Sequence, residues 1–342
     1  MPSFYSACVV LIPVLLSTMV LSRNVHDRWW SVAQDSIRNM VQRNRSICQK
    51  VEGFTQYQKR WCKKNKAFIK FVIEGARQGI SECKYQFRGD RWNCSTEEKK
   101  WIFYGKFLKY SGSRESAFAH AITAAGVVHA ISQACATNSL PPESCPDDGL
   151  YSKFASELVK YFLNNKRHRR GLDRRLVMDD HNNKVGRMTV VNSSTKKCKC
   201  IDVPGKIEKC NKTFCWEEVE DFRVIGNVLR EAYFNASQFW IPRDEIASGN
   251  LNTKLKTDLK SNTELVYFNS PPDFCYRVPR NNFYGTRSRE CNATGSGYGS
   301  CEYLCCGYGY ESKMFEVVEL CNCDTQNKCF RCVRMEQRHL CK

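Results

Sequence analysis

Residues 198–216 read CKCIDVPGKIEKCNKTFCW. Cys198, Cys200, Cys210 and Cys215 fall within these nineteen positions, on either side of a Val203-Pro204-Gly205-Lys206 centre. Proline followed by glycine marks a turn, so the stretch reads as a small cross-linked loop with a tight tip. Whether such cysteines form disulfides or hold zinc depends on the compartment the chain enters, and the rest of the sequence decides that.

The chain has 342 residues and 21 cysteines. Residues 1–22, MPSFYSACVVLIPVLLSTMVLS, carry no charge and hold an apolar run from Ala7 to Leu21. Small residues at Val20 and Ser22 suit cleavage after Ser22. The alternative is a signal anchor, but Pro13 and the shortness of the run weigh against a membrane span of roughly 20 residues. Cleavage would remove Cys8 and leave 21 − 1 = 20 cysteines, an even number. Sequons follow at Asn44, Asn192, Asn211, Asn235 and Asn292, with a sixth at Asn93 whose middle residue is Cys94. Leader, parity and sequons predict a secreted, disulfide-rich glycoprotein with no stable membrane anchor.

The net charge is +18, and the first 22 residues contribute none of it. A secreted protein this basic meets sulfated glycans and anionic surfaces rather than nucleic acid. The densest run is Lys166-Arg167-His168-Arg169-Arg170, followed by Arg174 and Arg175. Three readings stand: a solvated face, a heparan sulfate site on Lys166, Arg167, Arg169, Arg170, Arg174 and Arg175, or a convertase cleavage site after Arg170.

Cysteine density divides the molecule. Residues 23–197 hold six cysteines in 175 positions, and residues 271–342 hold ten in 72. The first region has room for an ordinary core; the last must lean on staples worth about 2–4 kcal/mol each. Phe68, Val72, Ala76, Ile80, Cys83 and Phe87 recur at helical spacing, as do Ala121, Ala125, Val128, Ser132 and Cys135 on a face of small residues. The second stretch is nearly long enough to span a bilayer, but its two histidines, glutamine and threonine predict a buried core helix. A third helical pattern runs from Glu218 to Phe239, and the polar stretch that follows predicts a linker over 248–270. The tail, with turns at GSGYGS and CCGYGY, predicts hairpins held by disulfides. An α+β fold follows, with a helical domain over 23–247 and a cysteine-rich domain over 271–342.

Enzyme chemistry finds little support. The chain has no H-E-x-x-H, no G-x-S-x-G and no phosphate-binding glycine loop. His120 and His129 fall in the small-residue helix, where a packed histidine is expected. Cys321, Cys323, Cys329 and Cys332 have zinc-ligand spacing, but behind a leader peptide they read as disulfides. No cofactor or metal is expected.

Several phrases resemble one family. ECKYQFRGDRWNCST (82–96) is similar to the Wnt signature ECQ-x-QFR-x-RRWNCS, and RESAFAHAITAAGVVHAISQACA (114–136) to the Wnt segment REAAF…AISSAGVVHAV…AC. LVMDDHNNKVGR (176–187), LVYFNSPPDFC (265–275), GTRSREC (285–291) and CEYLCCGYGY (301–310) also match Wnt motifs, in the Wnt order. The resemblance implies a helical N-terminal domain and a C-terminal domain of long hairpins that together grip the cysteine-rich domain of Frizzled. The opening stretch is then the thumb hairpin, 198–215, and residues 321–332 form the index finger, with Asp324, Thr325, Gln326, Asn327 and Lys328 at its tip. A low-density-lipoprotein-receptor-related co-receptor and heparan sulfate proteoglycans join Frizzled as implied partners. Carried over from the family, the disulfides are Cys48–Cys62, Cys83–Cys94, Cys135–Cys145, Cys198–Cys215, Cys200–Cys210, Cys275–Cys306, Cys291–Cys301, Cys305–Cys341, Cys321–Cys332 and Cys323–Cys329.

Three departures from the family pattern bear on function. The Wnt thumb reads C-K-C-H-G-V-S-G-S-C, and its first S-G-S serine carries a palmitoleoyl group. Here nine residues separate Cys200 from Cys210 against the family's six, and Pro204 stands at the acylated position. No serine lies between Cys198 and Cys215, and the only threonine, Thr213, sits near the base. A family cysteine pair after Cys145 is missing, and the index-finger tip is four residues shorter and lacks its adjacent Cys-Cys. The expectation is a Wnt-type Frizzled ligand without the usual lipid; the alternative is a heparan-sulfate-bound modulator that does not activate Frizzled.

Overall fold

The computed structural model describes residues 47–51, 54–94, 112–163, 174–200, 213–239, 263–277, 285–321 and 330–342. Its helices are α1 (Ile47–Lys50), α2 (Gln56–Lys64), α3 (Ile69–Gln86), α4 (Arg114–Ala136), α5 (Tyr151–Leu163), α6 (Arg174–Ser193), α7 (Phe222–Phe234) and α8 (Cys301–Leu304). The strands are β1 (Thr195–Cys200), β2 (Thr213–Glu218), β3 (Ser237–Gln238), β4 (Val266–Tyr267), β5 (Glu290–Cys291), β6 (Tyr310–Cys321) and β7 (Phe330–Cys341).

Helix α4 is the axis of the molecule. It starts at Ser113, whose side chain caps the Ser116 N–H, and it is buried on nearly every side. A helix apolar all round belongs inside, and this one lies in the core with α3, α5, α6 and α7 packed about it. Its small residues let the neighbours approach to backbone contact. A Cβ on Gly75 of α3 would meet the Gly126 carbonyl oxygen at 2.3 Å, and one on Gly186 of α6 would meet the Ala121 oxygen at 1.9 Å. The predicted face of α3 is buried throughout, from Phe68 to Phe87. Phe87 packs at 4.6 to 4.9 Å, ring centre to ring centre, against Trp92, Phe118 and Tyr233.

Two expectations need correction. The third helix begins at Phe222, because Asp221 accepts from the Arg223 N–H at 2.7 Å and because the chain up to Glu218 is strand β2. The C-terminal end of the expected linker is built into the helical layer. Leu265 and Val266 are fully buried, β4 pairs with β3, and Asn182 of α6 both donates to Val266 O and accepts from Val266 N–H.

Beyond Gly285 the core is small and mostly sulfur: Cys291, Cys301, Leu304, Cys305 and Cys341 cluster together. From it β6 and β7 run antiparallel over twelve residues each, about 40 Å at ~3.4 Å per residue. Disulfides join Cys48–Cys62, Cys83–Cys94, Cys135–Cys145, Cys198–Cys215, Cys275–Cys306, Cys291–Cys301, Cys305–Cys341 and Cys321–Cys332. The two other implied pairs, Cys200–Cys210 and Cys323–Cys329, involve residues outside the described ones.

Candidate functional site

The first hairpin rises between α6 and α7. Helix α6 ends as Ser194 turns its hydroxyl back to Val190 O, and β1 then pairs with β2 from Thr195↔Glu218 to Cys200↔Thr213. Cys198 and Cys215 stand directly opposite each other, with Cα atoms 4.0 Å apart, and their disulfide pins the register. The base is clamped to the body. The buried Glu217 carboxylate accepts the Ser152 N–H at 2.7 Å and a very short bond from the Ser152 hydroxyl. Ser152 lies in the first turn of α5, where N–H groups lack intrahelical partners and negative charge is favoured. Lys197 pairs with Glu218 on the outer side. The tip, Val203, Pro204, Gly205 and Lys206, lies outside the described residues, as does Asn211.

The second hairpin is β6–β7. The disulfide Cys321–Cys332 closes its far end across a diagonal, because Cys332 pairs in register with Glu319 and Cys321 with Phe330. Cys305–Cys341 and the pairing of β5 with β7 hold the near end. Alternate residues divide its faces. Met314, Val318, Leu320, Val333 and Met335 are all more than half exposed on one face, while the ion pairs Lys313–Glu311 and Arg334–Glu319 lie on the other. The tip residues Asp324, Thr325, Gln326, Asn327 and Lys328 fall outside the described residues.

The two halves meet where two signature motifs meet. Arg289, from GTRSREC, donates to Arg91 O at 2.7 Å, and Arg91, from the 82–96 motif, donates to Tyr303 O at 3.1 Å. Asp90 pairs with Arg230 of α7 at 2.7 Å, and the Arg230 guanidinium lies 3.9 Å from the centre of the Phe87 ring. Burial pushes the Asp90 carboxyl above its ordinary value, and Arg230 opposes that rise. An open cavity of about 240 Å³ sits beside this junction, between Glu115, Tyr233 and Phe274.

No constellation of acid, base and nucleophile assembles among the described residues. His129 sits between Glu220 O at 3.0 Å and Gln78 Oε1 at 3.3 Å, and His120 lies 3.3 Å from Asp179. Burial lowers the pKa of both. The sulfurs of Cys291, Cys305 and Cys341 lie close enough to share a metal, but all three are consumed in disulfides and offer no thiolate.

Asn192, Asn235 and Asn292 are exposed, and Asn44 lies outside the described residues. So do Lys166, Arg167, Arg169 and Arg170, and the Arg174 side chain. Arg175 does not belong with them. It turns inward, its side chain 12% exposed, to pair with Asp179 one turn along α6 at 2.7 Å and to donate to the Ser116 hydroxyl. The sequence reading also missed Glu217, Asp90 and Arg230, whose partners are 65 and 140 positions away.

Comparison with known proteins agrees with this architecture. The profile described as "wnt family" matches residues 50–342. Wnt-5b of Danio rerio is 33% identical, covering 93% of each chain, and Wnt-5a of Homo sapiens is 33% identical, covering 92% of this chain and 88% of its own. Among solved structures, a chain from the complex of human WLS with WNT8A superposes with a TM-score of 0.61 at 27% identity, covering 80% of this chain and 94% of its own. With the family profile spanning the helical body and both hairpins, the chain belongs to the Wnt family.

Proposed function

We propose that this chain is a secreted Wnt-type ligand that engages a Frizzled cysteine-rich domain through two stapled hairpins, without a lipid on the first. The observation that carries the reading is the β1–β2 hairpin: cross-linked at Cys198–Cys215, clamped through Glu217 to α5, and bearing Pro204 where a hydroxyl would be needed for acylation. A hairpin fixed in register loses little conformational freedom on docking, so modest contacts at its tip are used efficiently. A buried sixteen-carbon chain would contribute on the order of 10 kcal/mol gross at ~0.8 kcal/mol per methylene. Its absence predicts weaker binding, restricted to receptors that complement Val203–Lys206 and Asp324–Lys328. A low-density-lipoprotein-receptor-related co-receptor would complete the signalling assembly. Export would need neither the acyltransferase Porcupine nor the lipid-dependent carrier Wntless.

The test is binding of detergent-free secreted protein to a panel of Frizzled cysteine-rich domains, with secretion followed under a Porcupine inhibitor. Saturable binding to one or a few receptors, weakened by Lys206→Glu, and an unchanged secreted pool are expected. No binding anywhere by folded protein would overturn the receptor assignment, and loss of secretion under the inhibitor would overturn the lipid-free export.

A further inference from the structure

Two phenols meet in the open on the cysteine-rich half. The Tyr308 hydroxyl donates to the Tyr276 hydroxyl oxygen at 2.6 Å, and the two rings stand edge to face with centroids 6.1 Å apart. Yet Tyr276 is 55% and Tyr308 53% exposed. Stability gives a weak reason for such a pair. Water satisfies an exposed hydroxyl about as well as another hydroxyl does, and rings left half in water bury little area.

The backbone fixes both partners. Tyr276 follows Cys275, Tyr308 stands two residues after Cys306, and the Cys275–Cys306 disulfide joins the two segments across 31 positions. Tyr308 sits between Gly307 at φ +81° and Gly309 at φ +76°, conformations that glycine adopts without strain, and its N–H donates to Cys305 O at 2.9 Å. On the other side the Cys275 carbonyl accepts from the Thr286 N–H at 3.4 Å, and a Cβ on Gly285 would meet that carbonyl oxygen at 2.8 Å. The phenols are held together by restraints on both segments, not by burial of their rings.

We infer that Tyr276 and Tyr308 form a site of oxidative cross-linking, joined as an intramolecular dityrosine by an extracellular haem peroxidase acting with hydrogen peroxide. Each phenol gives up one electron and one proton, and together these reduce one peroxide to two waters. The two phenoxyl radicals couple through the ring carbons next to their C–O carbons. Each coupled carbon then loses its hydrogen as a proton while each oxygen regains one, which restores both rings and leaves the pair lighter by two hydrogen atoms. Holding the reactants in contact makes the coupling effectively unimolecular, at an effective concentration far above that of any second molecule in solution. The new bond would duplicate the Cys275–Cys306 link in a form that thiol reductants do not open. The inference takes from the proposed function only the chain's extracellular location and does not depend on Frizzled binding.

The test treats secreted, disulfide-intact protein with a haem peroxidase and hydrogen peroxide, then reduces it and maps its peptides. Blue dityrosine fluorescence is expected, with a Tyr276–Tyr308 peptide pair that survives reduction and a yield per molecule unchanged by dilution. Tyr276→Phe and Tyr308→Phe should each lower the fluorescence about 10-fold or more while keeping wild-type melting, because both rings remain. Tyr298→Phe, at another exposed tyrosine of the same half, should leave it unchanged. Absence of the cross-link, a yield that falls with dilution, a bond mapped to other tyrosines, or its persistence in Tyr276→Phe would each overturn the assignment. Should either phenylalanine variant at the pair fold poorly, the mapped peptides and the dilution series on wild-type protein decide alone.

Discussion

At the scale of single residues, the motif positions earn their place by packing and by long-range hydrogen bonds. Phe87 and Trp92 are core rings, Asn182 stitches α6 to β4, and Arg187 is buried with its guanidinium on the Ser156 carbonyl at 2.9 Å. Asp90 is different, because the family signature has arginine there. Here the carboxylate and Arg230 are each 11% exposed and face each other in the junction between the helical and cysteine-rich halves. Removing one member of a buried pair strands the other charge. Asp90→Ala is therefore expected to destabilise the fold by about 3 kcal/mol in chemical denaturation, with stacking on Phe87 and Phe234 keeping the loss from going further. A change below about 0.5 kcal/mol would show that loss of Asp90 does not strand a buried charge on Arg230.

At the scale of elements, periodicity made α3 and α4 legible, because a buried helix face repeats every three to four residues whatever lies opposite. It failed at α7, where an acidic cap and a neighbouring strand set the start, and at 264–268, where a polar context hid a short buried strand. The cysteines and the Pro-Gly pair of 198–216 made a cross-linked loop legible, and the resemblance to Wnt proteins implied that it is a hairpin. Its anchorage was not, because Glu217 reads as one more polar strand residue until α5 is brought beneath it. Glu217→Ala leaves the Ser152 N–H and hydroxyl without their acceptor, at a cost of about 1–3 kcal/mol. The loss should be local. Hydrogen exchange at the β1–β2 amides is expected to accelerate several-fold while α4 keeps its protection, and uniform acceleration in both would contradict a local clamp at the base of the β1–β2 hairpin.

At the scale of the whole molecule, burial of histidines links stability to pH. His120, His129 and His181 all have pKa values lowered by burial from an ordinary 6.5. Below that value the unfolded chain takes up protons that the folded chain refuses. Their contribution to stability is thus complete above pH 6.5 and diminishes as pH falls through the window beneath it, by up to ~1.4 kcal/mol per pH unit for each histidine. The melting temperature should be lower at pH 5.5 than at 7.5, and His129→Gln should narrow the gap. An identical gap in the variant would exclude His129 from the effect.

The amino-acid sequence by itself determined the family, the α+β fold, the division into helix-rich and cysteine-rich halves and the lack of any serine between Cys198 and Cys215. Those properties rest on local spacing, composition and motif order, which survive being read one residue at a time. Only the tertiary structure decided which charges face water. It turned Arg175 inward onto Asp179 and joined Asp90 to Arg230 across 140 positions. The reason is physical: a charge's environment is set by whatever packs around it, and in a folded chain those neighbours are mostly remote in sequence.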